Sequence, residues 1–369
     1  MYIHELDGWP NFIWDQERIS PLLIQLRYQQ GRLSGAMKSI GFQERDNTVL
    51  QALTQDIVKS SEIEGEILDQ SQVRSSVARH LGMDIGALDV ADNRIEGVVE
   101  MLLDATQKFD KPLNKRRLLR WHRLLFPDGH SGFSKIRTGA WRTGPVQVVS
   151  GQMGRETVHF EGPSADRVEH ECNLFLNWVN GETTIDPVLR AAIAHLWFVT
   201  IHPFDDGNGR IGRAIADLLL ARSEKSSRRF YSLSAQIQRE RKSYYAILEK
   251  TQKGPLDITP WIEWFFDCLG RAIDRALSTL DTALDKASFW ESLKEIPLND
   301  RQKKIINHLL GGFQGALTSS KWAKITKCSQ DTAYRDILDL MNRGVLIKDS
   351  KGGRSTSYSL ARAKSSSRQ

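Results

Sequence analysis

Apolar residues recur at helical spacing over most of the chain. Leu22, Leu23 and Leu26, then Val49, Leu50, Leu53 and Ile57, mark residues 15–60, and the same rhythm returns over 93–106 and 166–179. Leu189, Ile193, Leu196 and Trp197 line one face of a predicted helix from Pro187 to Thr200. That helix ends in a loop at His202-Pro203, because the residue before a proline is driven out of helical geometry. Another helix is expected from near Asn208 through Leu220. Residues 234–270 read as two more, separated at Gly254-Pro255, the second restarting at Thr259-Pro260, an N-cap followed by proline at the first helical position. Strand-like alternation is scarce. Its main instance lies between Gly144 and Gly162, where Val146, Val148 and Val149, then Val158 and Phe160, flank the turn-rich stretch from Ser150 to Arg155. That pattern predicts a β-hairpin with a loose tip.

From about residue 299 the pattern changes to three short helices, Asn299–Leu310, Thr318–Ile325 and Ser329–Asn342. They are followed by a hairpin of Val345–Ile347 and Tyr358–Leu360 around Lys351-Gly-Gly-Arg354, a winged-helix outline. The chain of 369 residues exceeds the usual size of one core, so two or three domains are expected. With 40% apolar and 26% charged residues, it has ample material for buried cores. The three cysteines, Cys172, Cys268 and Cys328, are far apart and form no CxxC pair, which predicts reduced thiols. The N-terminus is acidic and aromatic, unlike a signal peptide, and no apolar run reaches membrane-spanning length; the expectation is a cytoplasmic protein with no membrane partner.

Charge sharpens this division. Residues 300–369 carry 14 Lys+Arg and 5 Asp+Glu, a net +9; with +6 for the whole chain, the remainder sums to −3. Any attraction to nucleic acid therefore belongs to the tail. Its third helix nevertheless carries Asp331, Asp336 and Asp339 against Arg335 and Arg343, a poor match for a major groove. DNA contact and protein contact both stay open for this segment, as does a homodimer.

The chemistry concentrates in His202-Pro-Phe-Asp-Asp-Gly-Asn-Gly-Arg-Ile-Gly-Arg213. Gly207 and Gly209 allow close backbone approach to a ligand, and Asn208 stands where the chain enters a helix whose free N–H groups attract anions. Arg210 and Arg213, three apart, project from one helix face and suit a polyphosphate. Asp206 offers a hard oxygen ligand for Mg²⁺. His202 has an imidazole suited to taking a proton from an attacking hydroxyl. Phe204 is expected as a buried anchor, and His195 as a core residue.

At every defined position this string resembles the Fic-family signature HxFx(D/E)GNGRxxR. Residues Asn11–Asp15 are similar to an N-terminal module found in many bacterial Fic proteins, and Tyr244-Tyr245 with Pro260-Trp-Ile-Glu-Trp264 resemble the helices that close the family's nucleotide pocket. The resemblance implies a mainly α fold: a Fic-type helical bundle with a β-hairpin flap, plus the C-terminal winged-helix domain. The implied division is an N-terminal helical module (1–90), a catalytic core (91–275) and the terminal domain (295–369).

The implied activity is transfer of AMP from ATP to a Tyr, Thr or Ser hydroxyl of a target protein or of the chain itself. His202 would be the general base and Asp206 the Mg²⁺ ligand. Gly207, Asn208, Gly209, Arg210, Ile211, Gly212 and Arg213 would form the phosphate site. Thr157, Val158, His159 and Phe160 on the hairpin, with Tyr244, Tyr245 and Gln252, would complete the nucleotide pocket. Ser60-Ser-Glu-Ile-Glu64-Gly65 resembles the family's inhibitory motif (S/T)xxxE(G/N). Ser60 and Glu64 share a face of a helix expected to start near Asn47, Gly65 ends it, and Glu64 would pair with Arg213. A solvated run of Glu62, Glu64 and Glu66 is the plain alternative. Other nucleotide donors, removal of AMP, and an ATP-sensing DNA-binding regulator are the competing functions.

Overall fold

The computed structural model describes residues 1–86, 89–151, 157–311, 313, 315–349 and 356–361. The chain forms two compact units, Met1–Leu277 and Ser278–Gln369. In the first, helices α1 (Gln16–Ser39), α2 (Phe42–Ile63), α3 (Gln70–His80), α4 (Asn93–Gln107) and α5 (Lys115–Leu125) precede two small hairpins. These are β1–β2 (His130–Ser131 with Ser134–Lys135) and β3–β4 (Gln147–Ser150 with Thr157–Glu161). Then come α6 (Val168–Asn180), α7 (Pro187–Ile201), α8 (Asn208–Glu224), α9 (Leu233–Arg239) and α10 (Arg241–Gln252). The long α11 (Thr259–Ser292) begins in this unit.

Helix starts follow side-chain chemistry. Asp15, Asp69, Asp92, Asn114, Asp186 and Ser232 each accept a hydrogen bond from a free N–H of the first turn they cap. Pro187 follows Asp186 at the first helical position, where its missing N–H costs nothing. The core centres on α7 and α8. Every residue of α7 from Val188 to Ile201 except Arg190 is buried, and α8 is apolar or paired along its length. Gly212 permits this closeness: a Cβ there would lie 2.8 Å from Val199 Cγ1.

The expected flap is present as β3–β4, with Gln147 opposite Glu161 and Ser150 opposite Thr157; tip residues 152–155 lie outside the described residues. Several boundaries differ from the sequence reading. The inhibitory-motif helix starts at Phe42 rather than near Asn47, after a break at Ile40-Gly41. Residues 233–252 form two helices, because the chain leaves helical geometry at Glu240 (φ −107°, ψ 22°). The helix restarting at Thr259 continues to Ser292, and the β1–β2 hairpin was not foreseen.

In the second unit α12 (Asp300–Leu310), α13 (Ser319–Thr326) and α14 (Gln330–Asn342) precede β5 (Leu346–Lys348), which pairs antiparallel with β6 (Tyr358–Leu360). Ile305, Ile306, Trp322, Ile337, Leu340, Val345 and Tyr358 form its core. Asn299, Thr318 and Ser329 cap the three helices. Asp336 turns inward to Arg301 (2.7 Å) and Asp339 pairs with Arg343 (2.8 Å), so neither is a free charge on α14. Lys351, Arg354 and residues 362–369 lie outside the described residues. All three cysteines are free, and among the described residues no helix is long and apolar enough to cross a membrane.

Candidate active site

The loop joining α7 to α8 is built from its ends. His202 closes α7 in the left-handed region (φ 51°, ψ 58°), which a non-glycine residue adopts only under constraint from its surroundings. Phe204 is fully buried and stacks on His122, with centroids 4.1 Å apart and planes 6° from parallel. Asn208 folds its amide back across the loop, accepting from Phe204 N (3.0 Å) and donating to Phe204 O (2.9 Å). Gly207 takes φ 78°, which lets α8 begin at once.

These constraints define the histidine's protonation pattern. His202 Nδ1 lies 3.0 Å from the carbonyl oxygen of Val199, which can only accept, so Nδ1 carries the proton and Nε2 keeps its lone pair. Burial, with the nearby Arg142 cation, holds the imidazole's pKa below its ordinary value against the opposing pull of Val199 O, Glu64 and Asp206. At neutral pH it is a neutral base.

His202 opens on a cavity of about 690 Å³ between α8, the flap and α10. Among the sequence-predicted residues, Glu64, His159, Phe160, His202, Asp206, Asn208, Gly209, Tyr244, Tyr245 and Gln252 line it. Thr157 and Val158 do not; both lie exposed on β4, and a bulge that leaves His159 without a partner on β3 brings the consecutive His159 and Phe160 to the cavity. Gly207, Arg210, Ile211, Gly212, Arg213, Ser60 and Gly65 are also absent from the lining. Ile211 is core, and the two arginines are covered by the segment after α2.

That covering is a double lock. Glu64, the C-cap of α2, meets Arg213 at 2.8 Å, and Arg213 also donates to Ser60 Oγ (2.9 Å) and Ser60 O (2.8 Å). Gly65 at φ 85° then turns the chain so that Glu66 reaches Arg210, whose guanidinium lies 4.9 Å from the Phe126 ring centroid; Arg94 holds the other Glu66 oxygen at 3.1 Å. Glu62 is engaged by Lys59 and Gln238. The solvated acidic turn is not what forms.

Sequence reasoning missed Glu66, Ser131, Arg142 and Glu249. Ser131 on β1 donates to Asp206 Oδ2 while Gly207 N donates to Oδ1 at 2.5 Å, so two bonds orient the carboxylate. On the flap, His159 bridges Ser150 Oγ (2.6 Å) and Glu249 on α10 (2.8 Å), tying β3 and β4 to the helix carrying Tyr244 and Tyr245. The one signal available was spacing: Glu66 follows Glu64 by two residues as Arg210 precedes Arg213 by three. The donor chemistry fits Mg²⁺, which takes one or two carboxylates together with phosphate oxygens, and Asp206 supplies an oriented carboxylate on the cavity wall.

A neutral base, an oriented carboxylate and two arginines paired with glutamates thus meet at the start of α8. Residues 112–220 match the Fic/DOC family model, and residues 2–83 match a model described as a domain of unknown function, DUF4172. A protein adenylyltransferase Fic of Culex quinquefasciatus is 30% identical over 238 residues, spanning 61% of this chain and 41% of the mosquito protein. That of Drosophila melanogaster is 30% identical over 230 residues, spanning 61% and 42%. The chain thus spans about two fifths of the length of these relatives. In fold it is similar to a Fic family protein from Desulfovibrio desulfuricans G20 (TM-score 0.56, 23% identity, 94% of this chain and 97% of that one). It is also similar to a Fic-domain signaling protein from Bacteroides thetaiotaomicron (TM-score 0.51, 20% identity, 72% and 97%). Residues 112–220 are thus similar to the Fic/DOC family, and 61% of the chain is related to protein adenylyltransferases.

Proposed function

We propose that this protein is a nucleotidyltransferase that moves AMP from ATP onto a Tyr, Thr or Ser hydroxyl of a target protein or of itself, and that residues 60–66 hold it in check. The observation carrying this reading is the Glu64–Arg213 pair at 2.8 Å, set beside a histidine that lines the same cavity and keeps its lone pair on Nε2. His202 takes the proton of the acceptor hydroxyl, whose oxygen attacks the α-phosphorus in line while pyrophosphate leaves. Backbone N–H groups at the start of α8 and the Arg210 guanidinium hold the phosphate oxygens, and Arg213, once freed, grips the γ-phosphate. Mg²⁺ arriving with the nucleotide would be held by Asp206 and would neutralise phosphate charge. Among the described residues the flap has two strands, and an extended target segment adds as a further strand at its edge. The second unit, with its winged-helix outline, serves as a contact module, and a gel shift whose strength falls steeply with salt would identify the partner as DNA.

The test is incubation of the wild-type chain, Glu64→Gly and His202→Ala with each α-labelled nucleoside triphosphate. The expected outcome is label from ATP, stronger in Glu64→Gly and lowered about a hundred- to ten-thousandfold in His202→Ala with ATP binding retained. Label from another nucleotide alone would replace AMP in this reading. Equal labelling by wild type and Glu64→Gly would remove the brake.

A further inference from the structure

Arg142 is 2% exposed, yet its guanidinium is held by carbonyl oxygens rather than by a carboxylate among the described residues. Nε donates to His202 O (2.8 Å) and Nη1 to Gly144 O (2.9 Å). Nη2 donates to Pro163 O and, at 3.5 Å, toward Ile201 O, while the backbone N–H donates to Pro203 O (2.9 Å). Burying a cation with no carboxylate in contact is expensive, and charge-assisted bonds to carbonyls, with the more distant Asp205 charge, offset only part of that cost. A residue needed only to fill space here would be apolar. The acceptors instead come from three separate segments: the chain entering the flap, the chain leaving it, and the end of α7 with the base itself. Gly162 shows how closely they meet, since a Cβ there would lie 2.8 Å from Val146 Cγ1, 3.2 Å from Arg142 Nη2 and 3.4 Å from His202 Cβ.

We propose that Arg142 is a positioning residue that welds the flap and His202 into one frame, so that an acceptor laid along β3–β4 arrives at a set distance from His202 Nε2. This rests on the transfer reading above and adds to it the group that fixes base against acceptor. A base and its proton must lie within about 3 Å, and misplacement by about 1 Å costs on the order of a hundredfold in rate. The same guanidinium also sets the field at the imidazole. Around His202 stand Arg142, Glu64 from α2, Asp205 and Asp206 from the loop, His159 from the flap, and Arg241, Lys242, Tyr244, Tyr245 and Glu249 from α10. Of the cations, Arg142 is the one that touches the histidine's own backbone and lowers its proton affinity.

Two substitutions separate geometry from charge. Arg142→Lys keeps the charge but cannot fork to three segments; Arg142→Gln loses the charge. In a Glu64→Gly background with α-labelled ATP as the probe, Arg142→Lys is expected to lower the self-labelling rate about a hundredfold, with the KM for ATP within about twofold of its parent. In the Mg²⁺-free wild-type background, the His202 imidazole is titrated by NMR. Its midpoint should rise in Arg142→Gln, because removing a cation lets the ring keep its proton to higher pH, and should stay in place in Arg142→Lys. If Arg142→Gln gives no cooperative melt, Arg142→Lys decides. Labelling by Arg142→Lys within twofold of the parent, or an unmoved midpoint in folded Arg142→Gln, overturns the assignment. A Glu64→Gly parent that transfers no label counts against the transfer reading instead, and the NMR midpoint then decides for Arg142.

Discussion

The second carboxylate of the lock gives the sharpest prediction, because its size follows from the geometry. Glu66 is 21% exposed and Arg210 5%, so their ion pair is largely shielded from water, whereas Arg94 on the other oxygen is 48% exposed. A hydrogen bond between charged groups contributes about 1.5–3 kcal/mol when buried. An exposed pair contributes about 0–1. Glu66→Gln keeps the shape and one acceptor oxygen, and Arg210 keeps its seat over Phe126. About 1–2 kcal/mol of bias toward the locked state is therefore removed. At 1.4 kcal/mol per factor of ten, that predicts about a 5- to 30-fold gain in apparent ATP affinity. Glu64 and Glu66 flank one glycine, so freeing one loosens the other, and the double variant should gain less than the product of the singles. Calorimetry with ATP in a His202→Ala background, where turnover is suppressed, measures this directly. ATP affinity within twofold of the parent for both Glu66→Gln and the double variant would refute the double lock.

Other outcomes follow from the same structure. Asp56 on α2 is buried beside Asp217 and Arg229 and accepts from Ser232 Oγ (2.6 Å) and Ser234 N (3.0 Å); burial, then the neighbouring Asp217 charge, pushes its pKa up to about 7. The folded state thus holds a proton that the unfolded chain releases near pH 4, and stability should fall as pH rises from there to about 7. Asp56→Asn should flatten that slope in melting curves taken between pH 5 and 8; an unchanged slope would place the titration elsewhere. Gly97 lets α4 and α5 cross closely, since a Cβ there would lie 1.9 Å from Leu124 O. Gly97→Ala should cost about 1–3 kcal/mol, read as a drop of several degrees in melting temperature; an unchanged melt would mean the helices part freely.

What the sequence disclosed was local. Pro187, Thr259-Pro260 and the loop from His202 are short-range signals, and the structure puts helix ends and cavity lining there. The flap was legible because valines alternate across it. The β1–β2 hairpin was not, since His-Ser-Gly-Phe-Ser-Lys carries no alternation to read. Nor was the break at Glu240, whose carboxylate pairs with Arg271 across the fold (2.7 Å). Arg142 illustrates the general obstacle: its side chain's partners are backbone carbonyls up to 60 residues away, which no side-chain pattern reveals. Asp336 and Asp339 show the same limit for charge. The sequence counts both as bare charges on α14, but Asp336 turns inward to Arg301 and Asp339, still partly exposed, is neutralised by Arg343.

Gly209 links the lock to the chemistry. Glycine inside a helix is unfavourable relative to alanine by about 1 kcal/mol, so its presence in the first turn of α8 needs a spatial reason. A Cβ at Gly209 would lie 2.1 Å from Glu64 Oε1 and 3.2 Å from Arg213 Nη1. The space above this glycine, expected from the sequence to admit a phosphate, is taken by a carboxylate. Both are anions at the positive end of a helix, beside the same arginines. The carboxylate fills the place incompletely: Arg210 Nε and Arg213 Nη1 are buried with no hydrogen-bond partner among the described residues. Each buried donor left without a partner costs about 1–3 kcal/mol. A phosphate group has more oxygens to offer than Glu64 can, so these two donors tilt the exchange toward the nucleotide. On the proposed reading the paired state is therefore one that a nucleotide displaces, and the strength of the restraint is set jointly by residues 60–66 and by these two arginine donors.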